Sequence, residues 1–281
     1  MKSYLIALLV ALVTTFCAND PAQAAPRRLK GSGNLTTKEV TLPSFQSLSA
    51  SRSVQVELVA NQGQATLIEA DDNVMEYVIV SVEGNTLKVG ISDEVRSISS
   101  VHVRVVVPTN GTLNEVKAVA AATIRSEVRL QSDEVELDAS SAGRIVADIQ
   151  AEECEIDLSS AAHFTGEVVA ERCSMEASSS ADITATLAVR TLNLNLSSAA
   201  NATLQGAVLN CRAELSSAAD LHAPKLVVKH YDIEASSASD ATICCLESLK
   251  AYASSGADIH YTGNCTNRNI KRSSGGDVTQ H

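Results

Sequence analysis

The sequence predicts an all-β fold: a parallel β-solenoid of the single-stranded β-helix type, with coils of about 19 residues, preceded by an antiparallel β layer. Three observations predict it. A Ser-Ser-small-small-polar tract recurs through the second half of the chain. A segment alternating apolar and polar residues precedes each copy. No stretch sustains the 3.6-residue period of an amphipathic helix.

The copies begin at Ser140, Ser159, Ser178, Ser197, Ser216, Ser236, Ser254 and Ser273, with a degenerate one, Val119-Ala120-Ala121-Ala122, ahead of them. Their spacings are 21, 19, 19, 19, 19, 20, 18 and 19 residues. Before each lies a segment such as Cys154-Glu155-Ile156-Asp157-Leu158 or Leu192-Asn193-Leu194-Asn195-Leu196, with positions one, three and five apolar. That is a strand with one buried face. Each coil of two or three short strands buries that face only when stacked on its neighbours. Nine copies at about 4.8 Å per rung make a rod on the order of 40 Å long.

In chain order, residues 1–24 read as a signal peptide. Met1-Lys2 is basic, Tyr4 to Val13 is a short apolar run, and Ala22-Gln23-Ala24 is a small-x-small cleavage signal. Lipid attachment at Cys17 is the alternative, but the bulky Phe16 stands where that processing requires a small residue. Residues 25–37 read as a polar, untidy leader. Residues 38–110 alternate strongly (Val54/Val56/Leu58, Val78/Val80/Val82, Leu87/Val89/Ile91, Val103/Val105/Val107), with Glu83-Gly84-Asn85 as a hairpin turn. They are expected to form an antiparallel layer that caps the first open rung. Residues 111–278 carry the solenoid, in one continuous domain spanning 38–278.

Composition narrows the function classes. The chain has 281 residues, 45% hydrophobic and 3% aromatic, and a formal charge of −11. Hydrophobic content of this order supports a folded core, and the acidic balance argues against a nucleic-acid partner. No later segment approaches 18 continuous apolar residues, so no transmembrane segment is expected.

The candidate chemistry lies in columns, residues that stacking brings into line. The fifth turn position places Asp182, Asp220, Asp240, Asp258 and Asp277 in one column, interrupted by Asn201. Stacked carboxylates either share a Ca²⁺ ladder, with carbonyls completing the shell, or each caps its own turn by accepting backbone N–H groups. The Gly-rich signature of calcium-binding β-rolls is absent, and capping is the preferred explanation. A second acidic column runs Asp138, Asp157, Glu176, Asn195, Glu214, Glu234, with Glu136 and Glu155 beside it. It reads as a solvated face that keeps the rod soluble, with a docking strip for a basic partner as the alternative. Cys154 and Cys173 share an inward column on adjacent coils; Cys244 and Cys245 are vicinal, so only one faces the core, and Cys265 is a candidate partner for either, with Cys245–Cys265 the pairing suggested. Each pair is either a disulfide or two small buried hydrophobes. His222 and His260 share a column two coils apart, too distant for one metal. HExxH, GxSxG and Walker loops are missing. No catalytic residue, cofactor or metal is expected.

Several stretches together carry a family resemblance. They are Phe45-Gln46-Ser47-Leu48, Val54-Gln55-Val56-Glu57-Leu58, Glu69-Ala70-Asp71-Asp72-Asn73, Leu87-Lys88-Val89, Val103 to Pro108, the Ser-Ser-x-x-Asp ladder and Tyr261-Thr262-Gly263-Asn264. Over about 38–278 the chain resembles the head GIN domain family, DUF2807, labelled a putative auto-transporter adhesin. Members usually carry glycine in the turn, where this chain has Ser-Ser-Ala-Ala. The resemblance implies an exported bacterial β-helical surface protein and supplies no catalytic residue.

Three functions follow. The preferred one is a non-catalytic, adhesin-like or scaffold protein of the periplasm or cell surface, with a protein or glycan as partner. The second is a carbohydrate-active β-helix, a polysaccharide lyase or hydrolase, which needs convergent carboxylates and aromatic platforms. The third is a structural component of the cell envelope acting by assembly.

Overall fold

A computed structural model describes residues 27–281. The signal-peptide reading of 1–24 and the Cys17 alternative lie outside the described residues. The chain runs through β1 (Arg27–Lys30), β2 (Leu35–Val40), β3 (Ser47–Ser51), β4 (Gln55–Ala60), β5 (Thr66–Asp71), β6 (Val78–Glu83), β7 (Thr86–Ile91), β8 (Val95–Ser99) and β9 (Val103–Thr109). The repeats follow as β10 (Glu115–Val119), β11 (Thr123–Ser126), β12 (Leu130–Gln131), β13 (Glu134–Ser140), β14 (Arg144–Val146), β15 (Ile149–Leu158), β16 (His163–Ala177), β17 (Asp182–Leu196), β18 (Asn201–Leu215), β19 (Asp220–Ala235), β20 (Asp240–Ala253), β21 (Asp258–Thr262), β22 (Asn267–Arg272) and β23 (Asp277–Gln280). A single 3-10 turn, Met75–Tyr77, is the helical element among the described residues.

This is a parallel β-solenoid of about nine coils with antiparallel strands at its N-terminal end. Each coil has three faces. On the first, Glu155, Ser174, Asn193, Arg212, Asp232 and Lys250 stand in register from one rung to the next. Thr165, Thr184, Thr203 and His222 do so on the second face, and Val169, Ala188, Ala207 and Val227 on the third. One-for-one register over many rungs follows from the near-constant repeat length. Pro224, the extra residue of the 20-residue step from Ser216 to Ser236, is absorbed by a register shift between Thr203 and Gln205 on the partner strand.

The coil has one sharp corner rather than three. Sequence alternation suggests two or three short strands per coil, but β16 to β18 each run 15 residues without a break. Each passes from the second face through the third and onto the first face of the next coil. The strand itself breaks only at the Ser-Ser turn in these coils, while the pairing skips Glu171, Arg190 and Leu209 where the third face passes into the first.

That turn explains the repeat. In Ser159-Ser160-Ala161-Ala162, Ser160 has φ 53° and Ala161 φ 59°, and Ala162 N–H donates to the Ser159 carbonyl at 3.2 Å. Positive φ at both central residues is the type I′ pattern, which favours Gly or Asn. Here Ser and Ala occupy it in turn after turn, at a cost of roughly 1–2 kcal/mol per residue. A second hydrogen-bond ladder offsets this cost. Ala161 N–H donates to the Ser179 carbonyl at 3.0 Å, Ser180 N–H to Ser198 at 3.0 Å, and Ala199 N–H to Ser217 at 3.0 Å. Small side chains let successive corners approach closely enough to make these bonds.

The interior is one continuous hydrophobic cluster from Leu48 to Val278. Large and small residues alternate across it. Phe164 is 1% exposed, and its ring fills the space beside Gly166. A Cβ at 166 would lie 3.2 Å from the ring tip and 1.8 Å from the Ala147 carbonyl oxygen.

The N-terminal end is more interwoven than a separate cap. β3 and β4 already form a rung, parallel to β10 and β11, and Arg52 and Ser53 take the turn's two positive-φ positions. The stack therefore begins upstream of residue 111. Strands β5 to β9 are an excursion in which β7 stacks beneath β3, and β9 beneath β4. The antiparallel strands β6 and β2/β5 close the end. Residues 27–37, expected to be untidy, form β1, which pairs with β8, and the start of β2. Buried Asp71 fastens them: its carboxylate accepts from Gly33 N–H at 2.8 Å and from His102 N–H at 2.7 Å. The Glu69-to-Asn73 motif is thus a structural clasp.

Candidate functional site

The outward side of the first face carries two adjacent rows of charged and polar residues. Alternation aims Leu137, Ile156, Met175 and Leu194 inward, and the residues between them point to solvent. In-register stacking turns these into columns. One runs Glu115, Glu136, Glu155, Ser174, Asn193, Arg212, Asp232, Lys250. Its neighbour runs Lys117, Asp138, Asp157, Glu176, Asn195, Glu214, Glu234, Tyr252. The second acidic column read from the sequence is therefore real as a geometric row.

Its two ends differ in charge balance. Toward the C-terminal end, acids are matched on the spot: Arg212 with Glu214 at 2.8 Å, Lys250 with Asp232 at 3.0 Å and with Glu234 at 3.7 Å. A neutral belt of Thr191, Asn193, Asn195 and Asn210 separates this from the N-terminal half. There, Glu115, Glu136, Glu155, Asp157 and Glu176 have no ion-pair partner among the described residues. Lys117 is committed to Asp138 and Arg172 to Glu153.

Asp157 is the centre of this block. It lies in register with Asp138 on one side and Glu176 on the other. Its Oδ1 is buried without a hydrogen-bond partner among the described residues. Partial burial and the charges of Glu155, Glu176, Asp138 and Glu136 push its pKa up to about 6. Glu136 is raised for the same reasons, burial first and then Glu115 and Glu155. Asp138, Asp157, Glu176, Ser159, Ser178 and Asn195 line a shallow cleft of about 320 Å³. Such a surface attracts cations and ammonium or guanidinium groups.

The Asp column of the turns is arranged differently from the capping expected. Turn closure is done by backbone groups, and only Asp277 accepts a nearby backbone bond, from Val278 N–H at 2.8 Å. Asp182 instead contacts His163 at 3.0 Å and accepts from Asn201 Nδ2 at 2.9 Å, and Asp277 contacts Arg272 at 3.2 Å. Asp220, Asp240 and Asp258 stack in register between them. Among the described residues no group of three or more His, Cys, Asp or Glu side chains is arranged to hold a metal ion. His222 and His260 share a column with Thr242 between them.

The described cysteines are free thiols in this structure, at both suggested disulfide positions. Cys154 and Cys173 are in-register neighbours, and Cys245 and Cys265 touch at the end of the core. Burial pushes Cys211 and Cys245 up to about 12, far from a reactive thiolate.

Sequence reading missed one surface, an outward aliphatic stripe on the third face. Val169, Ala188, Ala207, Val227 and Leu246 line a groove of about 550 Å³, with Val227 39% and Leu246 41% exposed. The signal was the looser alternation after each turn, which hides one apolar outward residue between two inward ones. No helix among the described residues is long and apolar enough to cross a membrane.

The comparisons agree with this architecture. No curated protein matches the chain. Among solved structures it is similar to a putative adhesin from Parabacteroides merdae, with TM-score 0.70 at 19% identity over 90% of this chain and 99% of that one. A putative adhesin from Parabacteroides distasonis superposes with TM-score 0.69 at 16% identity, covering 91% of this chain and all of its own (100%). A putative lipid binding protein from the same species gives TM-score 0.66 at 15% identity, covering 91% and 100%. At these identities the likeness is one of fold. The model of DUF2807, described as putative auto-transporter adhesin, head GIN domain, matches residues 44–185 and 155–265, most of the chain; this protein belongs to that family.

Proposed function

We propose that this protein is exported to the periplasm or cell surface, released from its leader rather than lipid-anchored at Cys17, and acts there without catalysis as an adhesin-like scaffold. Its contact surface is the acidic N-terminal half of the first face, and its partner is a cationic protein or amine-bearing glycan. The observation that carries this reading is the contrast along one face: Glu136, Glu155, Asp157 and Glu176 lack countercharges, whereas Asp232, Glu234 and Glu214 have theirs. A row kept only for solubility has no need of that asymmetry.

Family membership and the apolar run of residues 4–13 support export. Aromatic placement supports binding without sugar-ring platforms: Tyr77, Phe164, Tyr231 and Tyr261 lie in the core, while Tyr252 is 36% exposed.

The test is a titration of the folded chain with an oligolysine peptide and with an uncharged peptide of equal length, across a salt series. Binding of the cationic peptide is expected to weaken steeply with salt. It is expected to fall at least tenfold in a variant carrying Glu136→Gln, Glu155→Gln and Glu176→Gln. Equal binding of both peptides, or an unchanged variant, contradicts the reading.

A further inference from the structure

The rod ends in an exposed rung, and two cysteines meet beneath it. Cys245 points inward from the third face of β20 and is fully buried, and Cys265 is 5% exposed. Cys265 belongs to the irregular link between β21 and β22. This link passes tightly over Cys245: a Cβ at Gly263 would lie 2.2 Å from the Cys245 carbonyl oxygen, and the Cys265 thiol lies near enough to help raise the Cys245 pKa. The Cys245 S–H also faces the Ser248 carbonyl at 3.1 Å.

The other adjacent pair is built less favourably. Cys154 and Cys173 sit directly opposite on parallel in-register strands. Their Cβ atoms then stay about one rung spacing apart, roughly 4.8 Å, beyond the roughly 3.5–4.5 Å that a disulfide spans. Cys265 lies outside any strand, so no ladder fixes the direction of its Cβ. Cys244, next to Cys245, faces outward and is only half-buried.

We infer that Cys245 and Cys265 form a disulfide in the exported protein, a covalent staple that holds the terminal rung of β22 and β23 onto the body of the rod. This rests on the export reading above, because persistent disulfides belong to oxidising compartments. The oxidant is the disulfide of a thiol–disulfide oxidoreductase or of a small-molecule disulfide. The Cys265 thiolate attacks it, forming a mixed disulfide and releasing one thiol. The Cys245 thiolate then displaces the second thiol. Two protons and two electrons leave the pair, one S–S bond forms in the protein, and one S–S bond of the oxidant is reduced to two thiols. Burial holds the Cys245 thiol protonated in the finished fold, so the bond forms while the last rung is still docking and is shielded afterwards. The consequence is mechanical. β22 and β23 present the open end of a long parallel sheet, the kind of edge that recruits other strands when it frays. A closed loop from 245 to 265 keeps that end from peeling.

The test is peptide mapping under non-reducing conditions after alkylation of free thiols. Tryptic peptides 230–250 and 251–268 carry Cys244, Cys245 and Cys265 between them. They are expected as one species two hydrogens lighter than the pair, from protein secreted by an oxidising route and from full chain refolded in a glutathione redox buffer. The Cys244→Ser variant is expected to retain the link, and limited proteolysis is expected to release residues 267–281 at least tenfold more slowly than after reduction. A link in the glutathione arm that is missing from the secreted protein upholds the pair and counts against export. Recovery of separate, fully alkylated peptides in the glutathione arm, or loss of the link in Cys244→Ser, overturns the staple.

Discussion

Asp157 and Glu176 stand in register on neighbouring rungs, about one strand spacing apart, with no Lys, Arg or His paired to either among the described residues and one oxygen of Asp157 buried without a partner. This relationship ties the acidic face to a measurable pH dependence. Asp157 has a folded-state pKa of about 6 against an ordinary value near 3.8. Between those values the folded chain holds a proton that the unfolded chain has released, so stability falls as pH rises from about 4 to about 6 and stays lower above. Discounted for the partly open surface, the loss is on the order of 1 kcal/mol. Asp157→Asn is expected to flatten that slope and raise Tm at pH 7 by about 2–4 °C. Thermal melts across pH 4 to 8 check it, and a variant that melts lower at pH 7 would refute the unpaired-charge account.

The corner ladder makes a second prediction. Ala161 and Ala199 have φ near 60° with exposed side chains, a conformation glycine adopts without cost. Ala161→Gly is expected to stabilise by about 1 kcal/mol, and Ala161→Val to destabilise by more than that because a β-branched side chain resists positive φ. Chemical denaturation of the two variants decides it, and the same order for both would contradict the strain argument.

Gly166 is a packing requirement. Its substitution by Ala would drive a Cβ to 1.8 Å from the Ala147 carbonyl oxygen and against the Phe164 ring. The expected cost is at least about 1–3 kcal/mol. Phe164→Ala leaves a void instead and is expected to cost about 3–5 kcal/mol. If the ring fills the space that Gly166 leaves, the two changes combine non-additively in a double-mutant cycle.

The turn aspartates already have a side-chain partner at both ends of their column, His163 for Asp182 and Arg272 for Asp277. Only Asp220, Asp240 and Asp258 stack without such help. Millimolar Ca²⁺ after EDTA treatment is expected to move Tm by less than about 1 °C. A rise of several degrees would make that triplet a cation site, since a ligand bound only to the folded form must raise the midpoint.

The repeat length and the alternation were enough to read the coil, because every 19-residue step puts the same residue type at the same depth. Alternation also placed Ile156, Met175 and Leu194 inside, and it placed Asp157 and Glu176 in one outward row. The early rung at β3 and β4 was not legible. Its corner is Ser51-Arg52-Ser53-Val54, without the Ser-Ser signature, and its stacking partner β10 lies 68 residues downstream in register. Nor was the charge contrast visible from composition. Lys250 neutralises Asp232 and Glu234 only because register sets them side by side, a relation across 16–18 residues that no local window contains.

The central claim is that the acidic rungs, not the ion-paired ones, meet the partner. Zero-length carbodiimide coupling tests it most directly, by joining lysine amines of a bound cationic peptide to the carboxylates they touch. Mass-spectrometric mapping is expected to place the adducts on Glu136, Glu155 and Glu176, suppressed by high salt. Adducts concentrated on Glu214 and Glu234, or spread evenly over the surface, would contradict it.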